Sequence, residues 1–116
     1  MPAPLTAPDD THLEALGLSV EAGDEPWVRS VSFASERGGT VLLTWDVVGA
    51  SAHLLWSADD DVVVELTREG VDTVTVDRHA DGHLASVTSS SDGLTGALTL
   101  TVTAGCVRIR DTLLRS

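Results

Sequence analysis

The densest set of side chains able to do chemistry is Asp77, His79, Asp81 and His83, which occupy every second position of one short stretch. Two imidazoles and a carboxylate at the mouth of a hairpin make a zinc-type donor set, so His79, Asp81 and His83 are the candidate metal ligands. The same spacing opens a calcium loop, with Gly82 after the third ligand. However, His79 stands where that loop needs oxygen, Thr88 stands where it needs a bidentate Glu, and strand-like sequence flanks it. A solvated polar turn is the simpler reading.

Asp59, Asp60 and Asp61 are consecutive carboxylates that either chelate a cation, meet a basic partner or face water. Nucleophile chemistry has little foothold. There is no Gly-x-Ser-x-Gly elbow, Gly38-Gly39 lacks the Lys and helix of a phosphate loop, and Cys106 sits in an alternating apolar stretch as a buried, inert thiol. Arg108 and Arg110 share the outer face of the last strand. Pairing with acids on a neighbouring strand is their default role, and carboxylate or phosphate binding is the sharper one. Of the three tryptophans, Trp45 shares a face with Val41, Leu43 and Val47 and reads as core. Trp56 shares a face with Leu54, and Trp27 follows Pro26 at a strand start, where partial exposure suits a contact residue. If Trp27 and Trp56 both faced outward they would form a sugar-stacking platform.

These residues are carried by 116 amino acids with 18 acidic and 7 basic residues, a formal net charge of −11. Such a balance argues against nucleic acid and anionic membrane surfaces, both of which need excess Lys and Arg. It permits a basic protein partner, whose approach the field accelerates. Every basic residue is Arg, and Lys, Asn, Gln and Tyr are absent, which fits codon usage in a GC-rich bacterium. With one cysteine there is no internal disulfide. No leader-like segment or apolar run long enough to span a bilayer is visible, which makes the cytoplasm the expected compartment.

The elements follow from periodicity. Residues 1–9 hold Pro2, Pro4 and Pro8 and read as a flexible arm, with one β domain expected over residues 10–116. Thr11 and Glu14 have capping-box spacing and Gly17 offers a stop, predicting a short helix that buries Leu13 and Leu16. From Leu18 onward the period becomes two, in seven or eight short Val- and Thr-rich strands joined by hairpin-sized loops. Val62, Val64 and Leu66 are expected inward. A loop at Glu69-Gly70-Val71 would pair Leu66 with Val74, an Asp81-Gly82 turn would pair Val76 with Val87, and a turn at Ala104-Gly105 would pair Val102 with Val107. The expected architecture is mainly β: an antiparallel meander closed into a barrel or folded into a two-layer sandwich, with one short N-terminal helix.

The reading that follows is a non-catalytic acidic binding protein for a protein partner. Toxin-neutralising immunity proteins and inhibitors offer an analogy of charge and size, and no motif supports it. Its contact residues are Trp27, Asp59, Asp60 and Asp61. The alternative is a small-molecule or carbohydrate-binding β domain that uses Trp27 and Trp56. A metal-dependent enzyme at His79 and His83 is the weaker alternative. No cofactor is expected, and an open sheet edge offers a route to a homodimer.

Overall fold

A computed structural model describes residues 5–91 and 94–115. After helix α1 (Asp10–Ala15) come strands β1 (Val20–Ala22), β2 (Val28–Ser35), β3 (Gly39–Asp46), β4 (Ser51–Ala58) and β5 (Asp61–Glu69). They hydrogen-bond in sequence order as one antiparallel sheet. The second sheet is β6 (Val71–His79), β7 (Gly82–Ser91), β8 (Leu94–Val102) and β9 (Val107–Arg115), again in sequence order. The chain is therefore an open two-layer sandwich of two meanders, not a closed barrel.

Alternation decides what lies between the layers. Val31 and Phe33 of β2, Val41, Leu43 and Trp45 of β3, and Leu54 of β4 point inward from the first sheet. Val74, Val76, Ala85, Val87, Leu98, Leu100 and Val102 point inward from the second, and all of these are at most 4% exposed. Each large apolar side chain so buried contributes about 1.5–3 kcal/mol.

The β5–β6 connection differs from the hairpin expected of it. Gly70, at φ +64°, passes the chain from one sheet to the other, and the Val71 amide donates to the Ala50 carbonyl at 2.8 Å. Leu66 and Val74 therefore face the same dry layer from opposite sheets instead of pairing side by side. Val62 is also not inward. The β4–β5 ladder shifts register between Trp56 and Ser57, so Val62 pairs with Ser57 on the outer face and is 62% exposed.

At the β6–β7 hairpin the turn is Ala80-Asp81, with Ala80 at φ +51°, and Val76 pairs with Ala85. The pairing slips by two residues from the expected one, an even number, so every side chain keeps its face. Gly82 is needed for clearance, because a Cβ there would lie 1.8 Å from the Val102 carbonyl oxygen. The β8–β9 hairpin has the expected register, Val102 with Val107 and Leu100 with Ile109.

The helix starts earlier than Thr11 implies. Asp9 is the N-cap, its Oδ1 accepting the His12 amide at 2.8 Å. The end is a Schellman motif: the Gly17 amide donates to the Glu14 carbonyl and the Leu18 amide to the Leu13 carbonyl, with Gly17 at φ +80°. Leu13 (0% exposed) and Leu18 (8%) then pack beneath it. A six-residue helix does not persist alone. Docking of Leu13 and a bond from His12 Nε2 to the Val76 carbonyl at 2.8 Å hold it on β6.

The proline-rich sequence of residues 1–9 predicts a flexible arm, yet Leu5 is 4% exposed in the core. The Leu5 amide donates to the Val47 carbonyl, the Thr6 amide to Asp72, and the Val74 amide to Thr6. The β6 edge has free backbone groups, and this segment satisfies them. Residues 1–4 lie outside the described part of the chain.

Candidate functional site

One end of the sandwich combines an exposed tryptophan with an open cleft whose lining includes Asp9 and Asp10. Trp27 precedes β2 in a turn where the Val28 amide donates to the Glu25 carbonyl at 3.1 Å. Its own carbonyl accepts the Val47 amide at 3.1 Å, which sets the β3–β4 turn beside it. Arg29 fastens the turn from below. Nη1 donates to the carbonyls of Pro26 at 2.6 Å and Val28 at 3.0 Å, and Nε meets Asp10 Oδ1 at 3.2 Å. The guanidinium thereby fixes the Trp27 turn to the start of α1. Trp27 is left 39% exposed and Val48 64% exposed.

Between the Trp27 turn and the N-terminal segment lies an open cleft of about 630 Å³, with Leu5, Pro8, Asp10, Trp27, Trp45 and Val47 among its walls. Its charged lining among the described residues is Asp9, Asp10 and Arg29. Asp9 caps the helix, Asp10 pairs with Arg29, and Asp46 Oδ1 accepts the Gly49 amide at 2.7 Å. Asp24 and Glu25 stand exposed beside Trp27.

The other residues singled out from sequence lie elsewhere. Asp59 and Asp60 form the two-residue β4–β5 turn at φ +53° and +66°, and Asp61 opens β5. That turn sits beside the start of β3, whereas Trp27 sits beside its end, so the length of the strand, about 23 Å, separates them. Trp56 faces inward, half-buried, and its Nε1 donates to the Gly38 carbonyl at 2.6 Å. It forms no outward platform with Trp27.

His79 pairs with Gly82 and His83 with Arg78, which puts the two imidazoles on opposite faces of the sheet. His83 Nε2 donates to the Leu16 carbonyl at 2.9 Å, and its ring lies 5.8 Å from that of Phe33. Asp81 accepts the Ala104 amide at 3.3 Å, which ties two hairpins together. Among the described residues, no group of three or more His, Cys, Asp and Glu side chains is placed to hold a metal ion. Cys106 is half-buried, its Sγ 3.7 Å from the Thr103 hydroxyl. Arg108 and Arg110 have Thr101 and Thr99 as cross-strand neighbours, not acids.

Sequence reasoning missed Val48 and Val63, exposed at 64% and 48%. Val48 carried a signal, since it lies out of phase with the inward residues of β3 and directly before Gly49. Val63 carried the same kind of signal, being out of phase with Val64 and Leu66, whereas the exposure of Val62 depends on the register shift of the paired sheet.

No protein-family model matches the chain, and no curated protein matches it in sequence. The fold is nonetheless shared with a solved structure. A chain of a contact-dependent growth inhibition toxin–immunity protein complex from Klebsiella pneumoniae 342 superposes with a TM-score of 0.78. The match covers 97% of this chain and 99% of that one at 10% identity. Among the described residues, no helix is long and apolar enough to cross a membrane.

Proposed function

We propose that this chain is a non-catalytic binding protein for a basic protein partner, engaged in the manner of an immunity protein meeting its toxin, through the Trp27 end of the sandwich. The observation that carries the reading is Trp27, an exposed aromatic on a turn that Arg29 fastens to Asp10, with Asp9 and Asp10 in the adjoining cleft and Asp24 and Glu25 exposed just before it. A rigid tryptophan anchor within a charged rim is the usual anatomy of an interaction hot spot. The net charge of −11 supplies long-range steering toward a cation-rich surface. The shared fold with a component of a toxin–immunity protein complex supports the same reading at the level of architecture.

The test is capture from a lysate of the source organism on immobilised protein, followed by titration of the partner so identified. A basic protein should be retained at low salt and released as salt rises. Trp27→Ala should weaken binding at least about 30-fold, the effect of losing a hot-spot aromatic of ~2 kcal/mol. Retention of the same proteins by a Trp27→Ala/Val48→Asp double variant would sink the proposal. A second reading rests on the cleft itself, whose 630 Å³ lies within the range of small-molecule sites. It is distinguished by a saturable change in tryptophan fluorescence with a sugar panel, abolished in Trp27→Phe.

A further inference from the structure

The outer face of the second sheet carries a feature that the Trp27 end does not use. Arg108 and Arg110 lie two residues apart on β9, so they share that face, about 6.6 Å apart along the strand. Directly across on β8 stand Thr101 and Thr99. These four residues and Ile109 line a depression of about 460 Å³.

The surrounding charges make the feature unusual for so acidic a chain. Among the described residues, neither arginine is in an ion pair, whereas Arg29 meets Asp10 and Arg68 meets Asp111. Asp111 is next to Arg110 in sequence but points to the other face, toward Arg68. Next across the face from the two threonines come Ser86 and Leu84 of β7. Straight across the ladder the first acidic residue in register is Asp77 on β6, three strand spacings away, about 14 Å, while past the end of β8 the Asp81 carboxylate is engaged by the Ala104 amide at 3.3 Å. Among the described residues, two guanidinium groups therefore share one face beside two threonines, with no ion-pair partner and no carboxylate on the residues directly paired with them.

We propose that Arg108, Arg110, Thr99 and Thr101 form a binding site for a doubly charged tetrahedral oxyanion of the phosphate-monoester class. Each guanidinium presents a planar fork of donors that matches two oxygens of such a group. The two positive charges match its two negative ones, and the threonine hydroxyls are placed to donate to the remaining oxygen. An anion lodged between the arginines also relieves their mutual repulsion. This site is independent of the Trp27 surface and stands or falls separately from it.

The test is NMR titration of the full chain with inorganic phosphate at constant ionic strength, with acetate as the singly charged comparison. Saturable shifts of the Arg108 and Arg110 Nε–H signals and the Thr99 and Thr101 amides are expected, with a millimolar dissociation constant. Acetate should bind at least tenfold more weakly. Arg108→Gln and Arg110→Gln should each weaken phosphate at least fivefold while leaving the remaining spectrum, and therefore the fold, unchanged. Shifts that are linear, spread over the whole spectrum, equal for acetate, or preserved in both variants would overturn the assignment.

Discussion

Replacing Leu5 with alanine separates two accounts of the N-terminus. Proline-rich sequence before the helix looks like an arm in solvent, and there the substitution would lie within about ±0.5 kcal/mol, as surface changes do. In the structure the side chain is 4% exposed and contacts the core, and its backbone donates to Val47. A buried Leu→Ala change costs about 2–5 kcal/mol, the upper part arising where a sealed cavity is left. Leu5 borders the open cleft, so water can enter the vacated space, and the expected loss is about 2–3 kcal/mol. With a urea slope near 1–1.5 kcal/mol/M for a chain of this size, the midpoint should fall by about 2 M at unchanged slope. Leu13→Ala is the internal control, since Leu13 is fully sealed at 0% exposure and should lose about 3–4 kcal/mol. An unfolding curve for Leu5→Ala that overlays the wild type, while Leu13→Ala shifts as stated, would show the reasoning to be wrong.

Further expectations concern backbone clearance and charge. Gly82→Ala should lose about 3 kcal/mol or more by thermal melting, because its Cβ would meet the Val102 carbonyl at 1.8 Å and backbone must move. Asp60→Gly should raise the urea midpoint by the equivalent of about 0.5–1 kcal/mol, since it relieves a left-handed conformation at φ +66°. Trp56→Phe removes the bond to the Gly38 carbonyl and should cost about 1–2 kcal/mol, read from the same curves. Raising NaCl from 10 to about 500 mM should increase the melting temperature, because screening shortens the reach of self-repulsion in a chain of net charge −11. A fall with salt would mean that paired charges dominate.

Periodicity by itself determined which side of each strand is dry. Alternation at Val41, Leu43 and Trp45, and again at Leu98, Leu100 and Val102, assigns the inner faces correctly because a strand has only two sides and water selects between them. Local chemistry also determined the short helix and its glycine stop, since capping bonds span only a few residues. Other features depended on groups distant in sequence. Whether β5 pairs with β6 or lies across the core from it is decided by which arrangement buries both inner faces, and either fits the same alternation. The bulge that turns Val62 outward, the docking of Leu5 on a free strand edge, and the gathering of Trp27, Val48 and Asp10 at one end while Asp59 sits at the other arise only when remote strands come into register. A sequence pattern records which side of a strand is dry; the neighbour that lies there is selected by the free energy of the whole packed chain.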